Sequence, residues 1–160
     1  MDSYIGTKLI TAEPMTRLAY NELRGWELPA DENGADEGFL THDTDCGEYS
    51  KVEGFDGYVQ WMPQKAFDFM YRPINNMTFG LAIEALKQGK KVARAGWNGK
   101  GLWLELQVPD EHSKMTLPYI FMAYPTAPAS ETAPANHKDA RVPWLASQTD
   151  MLGEDWKIVE

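Results

Sequence analysis

Arg94, Trp97, Asn98 and Lys100 fall in one short stretch, and Trp144, Ser147, Gln148 and Asp150 fall in another about fifty residues later. The two tryptophans present flat faces on which a base can stack, and stacking of this kind contributes about 1 to 3 kcal/mol per base. Arg94 and Lys100 supply cationic donors for phosphate, where charge-assisted bonds add orientation. Asn98, Ser147, Gln148 and Asp150 carry the donors and acceptors that read a base edge or a ribose. Tryptophan more often packs a core or an interface. That ordinary role is assigned to Trp103 and Trp156, whereas Trp97 is flanked by Gly96 and Asn98, and Trp144 follows Pro143.

Other chemistries find less support. Asp150 and Glu154 are four residues apart and would share a helical face, so with Asp155 they form a candidate acid/base or magnesium group. Helix-end carboxylates in solvent, or a cap, are the usual form of that pattern. Cys46 has His42 four residues before it, but both lie in a polar stretch with no evident orienting group. His42, His112 and His137 show no ligand spacing and read as surface histidines. There is no GxxxxGK[ST] loop. The glycine-rich run Gly96-Trp97-Asn98-Gly99-Lys100-Gly101 sits between strand signals rather than opening a helix, so it fails as a dinucleotide fingerprint.

The elements that must position these residues are legible in outline. Thr78 is a suitable N-cap, and Phe79, Ala82, Ile83 and Leu86 follow one helical face until Lys87 and Gly89 mark its end. Residues 91–97 and 102–108 read as strands around Asn98-Gly99-Lys100-Gly101, a hairpin signal because Asn-Gly tolerates positive φ. Leu102, Leu104, Leu106 and Val108 alternate with polar or amphipathic positions, which places one face on a core. Arg94 and Trp97 are three apart, on opposite strand faces unless the pleat breaks near Gly96. A strand over 117–124 and a Pro/Ala-rich loop over 125–140 follow. Ser147 then caps a short helix with Asp150 at its third position, and 156–159 return as a strand.

The first half reads as strand, helix, hairpin, helix. Its parts are a strand over 4–10, a helix capped by Thr16 that stops at Gly25, strands over 39–44 and 57–62, and a helix with Pro63 in its first turn. That last helix carries Phe67 and Met70 or Tyr71 inward. The expected fold class is therefore α+β: a small antiparallel sheet with short helices in the C-terminal half, plus a small α+β N-terminal module. The turn-forming stretch Arg72-Pro73-Ile74-Asn75-Asn76 sets the expected boundary, 1–76 and 77–160.

Charge separates the halves as well. The 160-residue chain carries a net charge of −9. Residues 1–76 hold 6 basic and 14 acidic side chains, and residues 77–160 hold 9 and 10. Long nucleic acids and anionic membranes are poor partners for such a field. A small anion is not excluded, because Lys87, Lys90, Lys91, Arg94 and Lys100 lie in a window free of Asp and Glu. Cys46 is the single cysteine, so an intramolecular disulfide is excluded and a reducing compartment is compatible. No apolar run approaches the roughly 18 to 20 residues of a spanning helix, and the first residues lack a signal peptide's apolar stretch. A soluble cytosolic protein is the expectation.

Residues 77–100, with Ala95-Gly96-Trp97-Asn98-Gly99-Lys100 at their end, together with Trp144-Leu145-Ala146-Ser147-Gln148-Thr149-Asp150-Met151-Leu152 and Asp155-Trp156, closely resemble the phage family of Thoeris anti-defence protein two. The resemblance spans about residues 77–159. It implies small α+β subunits that assemble as homotetramers or dimers in the cytoplasm of the infected host. It further implies capture, without cleavage, of a cyclic nucleotide signal of the glycocyclic ADP-ribose type made by a TIR-domain enzyme. Cyclic dinucleotides at a second site are a further expectation, and no cofactor or metal is implied. Motif matching carries the signal-binding role onto Trp97, Asn98, Trp144, Ser147, Gln148, Asp150 and Arg94; Lys100 is added from its chemistry. Residues 1–76 and the 125–140 loop are additions to the family pattern. Two rival readings stand beside this one: a metal-dependent nucleotide hydrolase using Asp150, Glu154 and Asp155, and an acidic inhibitor whose first half docks a basic host protein.

Overall fold

The computed structural model describes residues 8–43, 57–98, 101–124 and 140–159. The chain divides into two compact units, Met1–Tyr71 and Arg72–Glu160. Each is built on its own antiparallel sheet, so the class is α+β.

In the first unit, β1 (Thr11–Thr16), β2 (Glu37–Asp43) and β3 (Tyr58–Pro63) form a sheet in that order. The strand expected over 4–10 is instead β1. Residues 8–10 are not strand, and 4–7 lie outside the described residues. Local propensity does not favour Thr11–Thr16, which contains Pro14; its pairing with β2 makes it a strand, and an edge position tolerates the missing N–H. Helix α1 (Arg17–Arg24) starts where expected: Thr16 Oγ1 accepts the Ala19 N–H at 3.3 Å, and Gly25 ends it at φ 68°. Helix α2 (Gln64–Met70) begins one residue after Pro63, which closes β3. Phe67 stacks on Phe39 with centroids 4.0 Å apart and meets Tyr71 at 5.1 Å, while Met70 is exposed; Tyr71, not Met70, takes the inward place.

In the second unit, the sheet runs β7-β6-β5-β4-β8, with every pair antiparallel. Its strands are β4 (Lys91–Arg94), β5 (Trp103–Gln107), β6 (Tyr119–Ala123), β7 (Arg141–Pro143) and β8 (Trp156–Val159). Helix α3 (Phe79–Lys87) is capped by Thr78, whose Oγ1 accepts the Leu81 N–H at 3.4 Å. It packs Ala82, Ala85 and Leu86 against Val92, Leu104 and Trp156, all buried. Trimming a side chain such as Leu104 to alanine here would cost about 2 to 5 kcal/mol.

Three strands are shorter than their sequence patterns. β4 stops at Arg94 rather than 97, β5 omits Leu102 and the exposed Val108, and β6 omits the exposed Leu117. Apolar alternation outran the hydrogen-bond ladder at each end. β7 was not expected at all, since three residues ending in proline carry no strand signal until β6 pairs with them. The segment before α3 joins this unit: the Ile158 N–H donates to the Ile74 carbonyl, and Met77 bridges Trp156.

Candidate functional site

The site assembles where β4 ends beside the start of β8. Arg94 pairs with Trp156 in the ladder, which brings Arg94 next to Asp155, 61 positions away in sequence. The strand then breaks. Ala95 and Gly96 turn the chain, so Arg94 and Trp97, expected on opposite faces of a continuous strand, reach the same carboxylate.

That carboxylate is Asp150. Helix α4 (Gln148–Met151) is a single turn held by a capping box. Ser147 Oγ accepts the Asp150 N–H, and Asp150 Oδ2 accepts from the Ser147 N–H at 3.0 Å and from its hydroxyl at 2.6 Å. Asp150 Oδ1 accepts Arg94 Nη1 and Trp97 Nε1, each at 3.1 Å. Burial by itself would raise the Asp150 pKa; the bonds from Ser147, Trp97 and Arg94 outweigh it and bring it down to about 2, against an ordinary 3.8.

Arg94 is held from two sides. Its Nε donates to Asp155 Oδ1 at 2.7 Å, and its Nη1 also donates to the Thr149 carbonyl at 2.9 Å. The bond to Asp155 leads the effects that raise the Arg94 pKa. Asp155 is pushed up by burial and brought down further by Arg94 and the Gly96 N–H, with a net lowering. Nη2 has no bond within the protein among the described residues. It lies so close to Gly153 that a Cβ there would be 2.9 Å from it.

An aromatic wall stands beside this network. Trp156 is fully buried and donates its indole N–H to the Asp150 carbonyl at 3.0 Å. Trp97 meets it edge-on at 5.5 Å and Trp144 at 6.0 Å, while Trp97 and Trp144 lie 6.2 Å apart with their planes tilted by 59°. Both outer rings are half-buried, and Phe79 backs Trp144 at 6.2 Å. No cation covers either ring among the described residues. Asn98, next to Trp97 in the chain, and Ser147 and Gln148, three and four residues after Trp144, are exposed.

The structure therefore brings together Arg94, Trp97, Trp144, Ser147 and Asp150. Asn98 and Gln148 follow directly on Trp97 and Ser147 in the chain, and Lys100 lies outside the described residues. Sequence reasoning missed three contributors: Asp155 as the partner of Arg94, the Thr149 carbonyl, and Trp156 as the backing for both outer rings. The motif Asp155-Trp156 was visible, but its role follows only from the β4–β8 pairing.

The three carboxylates considered for metal chemistry do not form one cluster: Asp150 and Asp155 meet on the Arg94 guanidinium, and Glu154 stands apart. α4 ends at Met151, so Glu154 shares no helical face with Asp150; its nearest cation is Arg72 at 3.8 Å. Among the described residues, no group of three or more His, Cys, Asp or Glu is arranged to hold a metal. Cys46 and His137 lie outside the described residues, and His112 is exposed in a turn.

Residues 77–159 match the Thoeris anti-defense 2-like domain. The chain belongs to that family. Thoeris anti-defense 2 of Bacillus phage SP01 is 40% identical over 85 residues, covering 52% of this chain and 94% of that protein. The matched segment contains the whole Trp97–Trp144–Trp156 wall and the Arg94–Asp150–Asp155 network, while β1 to β3 lie outside it. Family membership supports a phage anti-defence role for the chain. No helix among the described residues is long and apolar enough to cross a membrane.

Proposed function

We propose that this Thoeris anti-defense 2-like protein captures a cyclic nucleotide immune signal of the glycocyclic ADP-ribose type and holds it uncleaved, so that the host effector is not activated. The observation that carries this reading is the pair of half-buried tryptophans, Trp97 and Trp144, set on a buried third, with exposed polar residues close to them in the chain. Trp97 or Trp144 stacks on a base; Asn98, Ser147 and Gln148 bond polar edges. Asp150 keeps the aim of Trp97, and its own acceptors are engaged within the protein. Phosphate falls to Lys100 and to Arg94 Nη2, because the rest of the Arg94 guanidinium is neutralised by Asp150 and Asp155.

In this reading, residues 77–160 form the binding domain and 1–76 an accessory module. The site is completed in a homotetramer or dimer in the host cytoplasm. Leu145, 90% exposed, and Leu152, 78% exposed, flank the site in sequence and support a surface covered by a second copy. Capture is stoichiometric, so the dissociation constant has to fall below the signal concentration. A nanomolar value corresponds to about −12 kcal/mol.

The test is calorimetry with a panel of cyclic ADP-ribose isomers and cyclic dinucleotides, followed by heat denaturation and mass analysis of the supernatant. Intact ligand released at one per site supports capture. Cleaved product moves the reading to a hydrolase, and no heat with any member ends it.

A further inference from the structure

We infer that Asp155 is a positioning residue of the recognition site, holding the 94–97 turn so that the Trp97 indole points in one direction. This deepens the capture reading and rests on it for its affinity consequence.

Three consecutive residues bond to this one aspartate. Asp155 Oδ1 takes Arg94 Nε at 2.7 Å, its backbone carbonyl takes the Ala95 N–H at 3.0 Å, and Oδ2 takes the Gly96 N–H at 2.7 Å. The turn's own closure, from the Trp97 N–H to the Arg94 carbonyl, is long at 3.5 Å. The carboxylate bonds are short and charge-assisted, so they dominate the geometry. From the fixed guanidinium the hold continues to Asp150 Oδ1, which grips the Trp97 indole N–H from the other side. Trp97 is thus held at its backbone by Asp155 through Gly96, and at its ring by Asp155 through Arg94 and Asp150.

Two glycines make room for this arrangement. A Cβ on Gly96 would stand 2.9 Å from Asp155 Oδ2, and one on Gly153 would stand 2.9 Å from the Cζ, Nε and Nη2 atoms of Arg94. Neither glycine has a positive φ, so close approach and not backbone freedom is what each provides.

The sheet does not depend on the contact. β4 and β8 are paired through four registered residue pairs from Lys91↔Val159 to Arg94↔Trp156, and the Asp155 side chain is 32% exposed beyond the end of that ladder. A partly exposed ion pair contributes little to stability. Fixing a recognition side chain before the ligand arrives acts instead on affinity, by removing an ordering cost from binding.

The experiment uses the full chain with 15N-labelled indoles. The Trp97 Nε1–H resonance is assigned through Trp97→Phe, and Trp61 and Trp103 serve as references for intact folding. Asp155→Asn keeps the shape but turns one acceptor into a donor that faces another donor. The expected result is a displaced Trp97 resonance with Trp61 and Trp103 unmoved, and about tenfold weaker binding of whichever panel nucleotide the wild type captures. In a Trp97→Ala background, which has no ring to aim, Asp155→Asn should weaken binding by less than about twofold. Gly153→Ala disturbs the guanidinium with both carboxylates intact and should move the same resonance, which guards against a variant that fails to fold. An unmoved Trp97 resonance in both variants overturns the inference. So does a tenfold loss that persists in full in Trp97→Ala, since Asp155 would then act by another route. If the wild type binds nothing in the panel, the capture reading fails, and the resonance alone decides the positioning role.

Discussion

Both units place an arginine, a carboxylate and a tryptophan together, yet the arrangements are opposite. In the first unit, the Arg17 guanidinium lies 5.1 Å above the Trp61 ring, and its Nη2 donates to Glu32 at 2.9 Å. Gly38 lies so close that a Cβ there would be 2.6 Å from the indole, and the Trp61 N–H is spent on the Met15 carbonyl at 2.8 Å. In the second unit, Arg94 never covers Trp97. It holds Asp150, and Asp150 grips the indole N–H, so the arginine acts on the edge of the ring. A guanidinium over the ring occupies the surface that a ligand would need. A guanidinium acting through a carboxylate sets the ring's direction and leaves its faces to other partners. The same three residue types therefore make a structural clamp in one unit and a candidate recognition site in the other. The first unit also has a recess of about 960 Å³, lined by Arg17, Glu32, Trp61, Lys65 and Asp68 among others. A recess alone does not make a recognition site; the availability of an aromatic face distinguishes the two units.

Four substitutions or conditions, and one truncation, would sharpen or break that contrast. The largest effect belongs to the clamp: Trp61→Ala should cost the first unit about 3 kcal/mol of stability in denaturant melts and leave nucleotide affinity unchanged. A loss of affinity there would erase the distinction. Next, Trp97→Ala should weaken binding by 1 to 3 kcal/mol, up to roughly two orders of magnitude by calorimetry, with the first unit's melt unaltered.

Acid should act on the second unit through Asp150. Its folded pKa of about 2 lies below the ordinary 3.8, so the carboxylate stabilises the fold fully above that ordinary value. That contribution is lost as pH falls from about 4 to about 2, and after screening it amounts to about 1 to 2 kcal/mol. Thermal melts of the wild type against Asp150→Asn should converge over that window; curves that stay parallel would remove Asp150 from the network. Ser147→Ala takes away the cap of α4 and should cost about 1 kcal/mol in the same melts. Smallest of all, a fragment beginning at Arg72, which keeps the Ile74 to Ile158 bond, should bind within about twofold of the full chain. A larger deficit would give the first unit a part in recognition.

The caps and stops were legible because their causes are local. Thr16, Thr78 and Ser147 accept N–H groups three residues ahead, and Gly25 and Gly89 take the positive φ that ends a helix. The core face of α3 was legible for the same reason, from spacing alone. Strand limits were less so. Val108 and Leu117 continue an apolar pattern into solvent, because alternation records side-chain chemistry and not the reach of the partner strand. β1 and β7 were missed because each is an edge strand created by its neighbour.

For the site, residue types and spacing singled out Trp97, Trp144, Ser147 and Asp150, and even the capping box that joins the last two. They pointed Arg94 to phosphate and offered Asp155 only as a candidate acid/base or magnesium group, with a solvated carboxylate as the usual form; the structure binds these two to each other. That pairing depends on β4 lying antiparallel to β8 in one register, across 61 residues of chain, with the pleat broken after Arg94. Sequence alone determined which side chains were present and where the capped helices α1, α3 and α4 would begin, since those energies act within a turn or two of the backbone. Tertiary structure decided which arginine meets which carboxylate and which tryptophan remains open, because long-range register follows from packing a whole core around Trp156.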